Sequence, residues 1–467
     1  MSQSEISNNV PPRSEVSEVV EHLFRHEAGK MLSILTSVFG IEHLNLAEDV
    51  VQEALVRALQ TWPYYGIPRN PSAWILQVSK NLALDVVRRE KVFRKKEAEI
   101  VRLIEQRSPA SEEAVFPDQE LKDDRLRMMF ACCHPLVAGE AQVGLALKIL
   151  CGFSTAEISK AFLTNEAVIA KRLTRAKQKI RQARIAFEIP AGEELSRRLA
   201  AVLQTLYLLF NEGYKASSGE RLVRGELCQE AIRLAGLLAE HPAGDRPETH
   251  ALLALMLLNG ARLPARVDAE GNLLLLKAQD RKLWDQTMIA HGMYHLAQSA
   301  AGDEITEYHL QAGIAACHCA AKDYESTDWQ QIQSLYDQLI TFDDSPVVAL
   351  NRAVAVAQVS GPQAGIEALA HVQDQEGMKS YYLLYAVLGE FEAQLKHHQA
   401  AANHFRKSLQ MADLKSEQTF LLKRLREIEG VAKTNPDSDD KGHSDREQAN
   451  SPQIWTVPTC TGSPSPN

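Results

Sequence analysis

Apolar residues in this chain recur at three- and four-residue steps along almost every patterned segment, and strand-like alternation bounded by turns is hard to find. That period restricts the fold to helices packing on helices, because a row with helical spacing cannot line one face of a strand. Aromatic residues make up only 6% of the chain, in keeping with the same reading. At 467 residues the chain is too long for one ordinary core and long enough for two or three. Breaks fall at Gly66 to Pro71, Ser108 to Pro117, Pro190 to Gly192, His241 to Pro247 and Pro264 to Gly271. The densest apolar run, Ala251 to Leu258, is eight residues, far short of the roughly 18 that mark a membrane span. The stretch Met1 to Arg13 is polar, unlike a signal peptide, and seven sparse cysteines suit a reducing cytoplasm.

The net charge of −9 argues at first against nucleic acid, but the average conceals opposite signs. Residues 15–187 carry 25 Lys and Arg against 22 Asp and Glu, whereas residues 188–467 carry 25 against 37. Arg88 to Lys96 holds six basic residues and one acid, and Ala167 to Phe187 holds seven basic residues and none. Two basic clusters in one half fit a DNA-facing part, and the acidic second half fits a solvated or protein-facing one.

Three segments carry the chemistry. In Ala47 to Trp62, Val51, Ala54, Leu55, Ala58 and Trp62 make one apolar stripe, opposite a polar face of Asp49, Gln52, Glu53, Arg57 and Gln60. Asn45 is placed to cap this helix, with Glu48 at its third position. In Pro71 to Glu90, Ile75, Val78, Leu82 and Val86 are expected to face a core, leaving Asn81, Asp85 and Arg88 on another face and Arg89 beyond it. Asn and Arg have the donor and acceptor geometry to read base edges, and the Lys and Arg that follow suit phosphates. Trp74 is expected in the core, with base stacking as its other possible role. In Phe153 to Arg181, Ser154 and Glu157 make a capping box for a helix over Thr155 to Phe162, and a turn at Leu163 to Asn165 leads to a second helix from Glu166. Ile158, Ile169 and Leu173 pack the pair together, leaving Ala167, Ala170, Lys171, Arg172 and Arg175 outward. A short helix, a tight turn and a basic second helix describe a helix-turn-helix.

Together these segments resemble an extracytoplasmic-function sigma factor of the bacterial sigma-70 family, over about residues 15–187. The resemblance implies that Asp49, Gln52 and Glu53 bind the β′ clamp helices of core RNA polymerase. It implies that Trp74, Lys80, Asn81, Asp85, Arg88 and Arg89 engage the minus-10 element, with the Tyr64 to Ser72 loop holding a flipped base. It places Ala167, Lys171, Arg172, Arg175 and Lys177 at minus-35, on a domain that meets the β flap. The recognition helix carries Val168-Ile169-Ala170-Lys171-Arg172 where the family commonly has Thr-Val-x-Ser-Arg, which leaves the base preference there open.

The remaining chain resembles the subgroup with a long helical extension of tetratricopeptide type. Leu388-Gly389, Ala401, Phe405 and Ser408 occupy the spacing of such a repeat, and Ala364 and Ala368 hold the equivalent places 37 residues upstream, although Asn351-Arg352 replaces Leu-Gly. The expected fold is therefore all-α. It has a disordered N-terminus (1–14), a polymerase- and minus-10-binding domain (15–96), a linker (97–119) and a helix-turn-helix domain (120–187). A helical, tetratricopeptide-like extension follows (193–430, repeats near 345–413), then a disordered tail (431–467). The acidic extension is expected to act in cis as a regulatory module, either masking the DNA-binding face or docking on polymerase.

The tempting metal sites read as structural. Cys132, Cys133, His134 and Cys151, and likewise Cys317, His318 and Cys319, contain adjacent residues that point about 100° apart on a helix, unlike the spaced pairs of zinc sites. His291 and His295 have helical metal spacing, but no Glu follows His291. There is no Gly-rich phosphate loop and no nucleophile elbow, so no enzyme activity, cofactor or metal is expected. Two rivals remain at this stage: a regulator that uses the helix-turn-helix without polymerase, and a repeat scaffold whose front half is only a bundle.

Overall fold

The computed structural model describes residues 13–89, 118–161, 164–214, 223–268, 274–370, 372, 373, 375, 378–412 and 415–434. They form α-helices joined by short turns, with no β-strand among the described residues. The basic cluster at Lys91 to Lys96, most of the expected linker and the tail beyond Thr434 lie outside them. Two compact units divide between Thr205 and Leu206, inside one helix.

The N-terminal unit begins with α1 (Arg13–His26), α2 (Ala28–Phe39), α3 (Leu44–Tyr65) and α4 (Pro71–Arg89). The α3 stripe reads inward as expected: Val51, Ala54, Leu55, Ala58 and Trp62 are all buried. Gly40 and Gly66, at φ +89° and +87°, stop α2 and α3 in a backbone region that favours glycine. Asn45 does not cap α3. A 3-10 turn over Ile41–His43 runs directly into the helix, so Asn45 already lies in its first turn and His43 takes the cap position without a side-chain bond.

The row that α4 buries also differs from expectation. Ile75, Leu76, Ser79, Lys80, Ala83 and Val87 are buried, while Val78, Leu82 and Val86 are half-buried along its flank. Small Ser79 and Ala83 at four-residue spacing admit close helix packing, and apolarity alone does not mark such a row.

The unit continues with α5 (Asp118–Cys132), α6 (Gly139–Leu150), α7 (Thr155–Ala161) and α8 (Glu166–Ala183). Ser154 and Glu157 form the expected reciprocal capping box, the Glu157 amide donating to Ser154 Oγ at 3.1 Å and the Ser154 amide to Glu157 Oε2 at 2.8 Å. Ser154→Ala should cost about 1 kcal/mol, read as a shift in denaturation midpoint without a change in slope.

Helix α9 (Glu193–Tyr214) belongs to both units. In its first half, Leu195, Leu199 and Val202 are buried, and Arg198 Nη1 donates to the Phe130 carbonyl at 3.3 Å. The N-terminal core thus extends past the break expected near residue 190, because the apolar period of α9 continues the packing of α5.

The C-terminal unit adds α10 (Gly225–Glu240), α11 (Pro247–Gly260), α12 (Gln286–Ser299), α13 (Glu307–Ala320), α14 (Trp329–Phe342), α15 (Pro346–Ser360), α16 (Pro362–Leu369), α17 (Tyr382–Gln394), α18 (His398–Met411) and α19 (Lys415–Thr434). Most of these helices pack chiefly on their neighbours in sequence, the arrangement of a helical array. Helix α11 carries the apolar run Ala251 to Leu258 and is buried on all sides. No described helix is long and apolar enough to cross a membrane.

In the α17–α18 hairpin, Leu388, Ala401, Phe405 and Ser408 are buried, and a Cβ on Gly389 would lie 3.1 Å from the Phe405 ring. The upstream hairpin is out of the expected register by one residue. Its buried positions are Gly365 and Leu369, 36 residues before Ala401 and Phe405, whereas Ala364 and Ala368 are half-buried. Helix α19 continues through Gly430 to Thr434, beyond the expected start of the tail.

Candidate polymerase and nucleic-acid interface

Because the α3 stripe is drawn into the core, successive residues turning about 100° bring Asp49, Gln52 and Glu53 to the surface. Glu53 Oε1 accepts from Arg57 Nε at 3.0 Å, an exposed pair worth only about 0.3–0.5 kcal/mol. Val56 and Leu59 stand beside these residues, 45% and 42% exposed. The sequence pattern predicts a wholly polar docking face. Both residues lie off the stripe in the sequence, and that offset is the signal that marks them as part of a partly apolar face.

At the C-terminal end of α3, Tyr64 and Tyr65 are exposed next to the Gly66 to Asn70 loop. Exposed aromatic rings suit stacking on unpaired bases, and both tyrosines belong to the stretch Tyr64 to Ser72 expected to hold a flipped base. Trp74 is half-buried and meets Trp62 edge-on, with ring centroids 5.4 Å apart. Asn70 Oδ1 accepts from the Ala73 amide at 3.0 Å at the start of α4. Asn81, Asp85, Arg88 and Arg89 are exposed on the outer side of α4, and Gln77 Nε2 donates to Asn81 Oδ1 at 3.1 Å. Lys80 departs from expectation. It is 1% exposed within the helix packing, so it is not presented to a nucleic acid.

Asn165 caps α8 by accepting from the Ala167 amide at 2.7 Å. Ile158, Ile169 and Leu173 are buried between α7 and α8, which leaves Ala167, Lys171 and Arg175 exposed and Arg172 half-buried. Two other lysines of α8 are engaged within the unit. Lys177 Nζ meets Glu48 Oε1 of α3 at 2.7 Å, and Lys179 Nζ donates to the Leu136 carbonyl at 3.1 Å.

The cysteine cluster is interior. Cys132, Cys133 and Cys151 are buried, and burial raises the Cys132 thiol and pushes Cys133 up to about 12, so both stay protonated. Burial and the Arg198 charge lower the neighbouring His134. His295 faces His250, their Nδ1 atoms 2.9 Å apart, and His250 Nε2 reaches Asp245 at 2.9 Å. Burial and the charges of His250 and His291 lower His295 to about 4.

Residues 23–92, which include α2, α3 and α4, match sigma-70 region 2. The chain belongs to the sigma-70 family. It is a sigma factor, a transcription-initiation protein that binds core RNA polymerase and promoter DNA, and it is not an enzyme. Residues 198–300 match a family of unknown function, DUF6596. An uncharacterized protein of Rhizobium meliloti (strain 1021) is 38% identical over 405 residues, covering 82% of this chain and 90% of that protein. No solved structure matches the chain.

Proposed function

We propose that the chain is a sigma factor of the extracytoplasmic-function type that reads a two-part promoter and works in the cytoplasm, where core polymerase acts. Asp49, Gln52 and Glu53 meet the β′ clamp helices. The outer side of α4, with Asn81, Asp85, Arg88 and Arg89, engages the minus-10 element, flanked by Trp74 and the exposed Tyr64 and Tyr65. Ala167, Lys171, Arg172 and Arg175 of α8 lie at minus-35, and the domain that carries them meets the β flap. Lys177 joins them once it is released from Glu48. The C-terminal unit is a tetratricopeptide-like regulatory module that acts in cis.

The observation that carries this reading is the pairing, on one unit, of an exposed acidic α3 face with an exposed basic face on a capped helix-turn-helix. Core polymerase charged with the full chain and offered a genomic library should select promoters sharing two spaced elements. Transcription with no shared upstream element would remove α8 from promoter recognition. Lys171→Ala should weaken binding alike on all sequences and lower the salt slope by about 1, as loss of one phosphate contact requires. An unchanged slope, measured by anisotropy over a salt series, would take Lys171 off the backbone.

A further inference from the structure

The C-terminal unit has a partly open cavity of about 60 Å³ between the second half of α9 and helices α11, α13 and α14. By the same measure one water needs about 10–15 Å³, so the space holds several waters or one compact molecule. Among the described residues its lining is apolar and aromatic apart from a few convergent polar side chains, none of them a carboxylate.

Those polar side chains are short of partners. Arg262, just beyond the end of α11, is 2% exposed, and among the described residues its side chain makes no hydrogen bond or ion pair. Its guanidinium lies over the face of Trp284, 5.3 Å from the ring centroid. His318 of α13 is also 2% exposed, and among the described residues neither ring nitrogen has a partner. Burial first, then the charges of Arg262 and Arg281, lower its pKa well below the usual value, so the ring is neutral and offers one N–H donor. Asn211 of α9, 4% exposed, has an amide nitrogen without a partner among the described residues. Gln311 already spends its oxygen on the Tyr207 hydroxyl at 3.0 Å, which leaves its amide nitrogen as a further donor.

The surroundings add positive charge. Arg266 is buried and stacks 3.6 Å over the Tyr214 ring, and Arg281 donates to the Ala321 carbonyl at 2.8 Å. A buried guanidinium with no counter-ion among the described residues, beside a set of idle donors, is a costly arrangement for a folded core, and an anion in the cavity relieves it. Guanidinium is also the side chain that best matches the two oxygens of a carboxylate or phosphate.

We propose that this cavity is a binding site for a compact oxyanion, a small carboxylate or phosphate, held by Arg262 with His318, Asn211 and Gln311 donating to its remaining oxygens. The site lies wholly in the C-terminal unit, so the proposal stands independently of which promoter elements the N-terminal unit reads.

The full-length chain is titrated by calorimetry with inorganic phosphate and, separately, with acetate, against chloride at matched ionic strength. At least one oxyanion should bind saturably at one site per chain and raise the melting temperature with concentration. The stronger of the two identifies the head group. Arg262→Met should weaken that binding by at least about tenfold, and Arg262→Lys should restore part of it, because a point charge replaces the planar fork. If Arg262→Met fails to fold, Asn211→Leu provides the second variant, with a weakening of about threefold or more. Absence of saturable binding by both oxyanions would overturn the proposal, because the cavity would then hold water only. Binding that survives unchanged in the folded variants would overturn it as well, since the anion would be held elsewhere.

Discussion

Reversing Asp49 and Glu53 together to lysine should lower affinity for core polymerase by about two orders of magnitude or more and leave the fold intact. The two side chains are exposed on α3 and take no part in its buried stripe. Substitutions at such positions usually change stability by no more than about 0.5 kcal/mol, and the exposed Glu53–Arg57 pair adds only a few tenths. At a docking interface the same reversal places like charges together, which costs several kcal/mol, and about 2.7 kcal/mol is a hundredfold. Affinity of the free protein for DNA should hold or rise slightly, because two negative charges are replaced by two positive ones. A native gel or anisotropy titration with labelled protein and core enzyme reads the first effect, and a duplex without polymerase reads the second. Core binding that persists would remove this face of α3 from the polymerase contact and shift attention to other surfaces. Val56→Ser with Leu59→Ser then asks whether the exposed apolar pair contributes, since surface hydrophobics beside a charged rim are common in binding patches.

Much of this architecture was legible because it rests on periodicity. The α3 stripe, the Ser154–Glu157 box and the packing of Ile158, Ile169 and Leu173 follow from spacing and local hydrogen bonding, which a sequence displays directly. The failures share a cause. Ser79 and Lys80 sit in the buried row of α4 although polarity assigned that row elsewhere, because close packing selects small side chains and leaves longer ones to find partners. Asn45 has the right chemistry for a cap, but the preceding 3-10 turn began the helix before it. The one-residue error in the upstream hairpin arose from aligning alanines, whereas Gly365 is the residue pressed against Ala357 and Phe391. The cavity was not legible at all. Arg262 lies just beyond the end of α11 and His318 in α13, far apart in the sequence, and the pattern marks His318 only as part of a Cys-His-Cys run.

Gly29→Ala should open the N-terminal unit and raise the affinity of the free protein for nonspecific DNA about tenfold at low salt. Gly29 of α2 lies against the end of α6, where an added Cβ would stand 2.3 Å from the Leu150 carbonyl oxygen. That oxygen is backbone, so the methyl is accommodated only if α2 and α6 move apart. The contacts beside it belong to the same interface. Ser37 Oγ donates to Asp124 Oδ2 at 3.1 Å between α2 and α5, and Glu48 holds Lys177 between α3 and α8. Lys177 and Glu48 side chains are only 21% and 13% exposed, so while this packing persists the Lys177 ammonium is committed to a carboxylate and is not free to meet a phosphate. Separation releases it. The salt slope of DNA binding should therefore steepen by about 1 in Gly29→Ala, and Glu48→Ala should reproduce that change without the steric insult. Adding Lys177→Ala to either variant should cancel the gain. If overpacking is instead absorbed in place, the variant loses about 1–3 kcal/mol of stability with no change in slope. A denaturation midpoint measured beside the salt series separates these outcomes, and an unchanged slope in both folded variants would show that Glu48 does not restrain Lys177 from DNA.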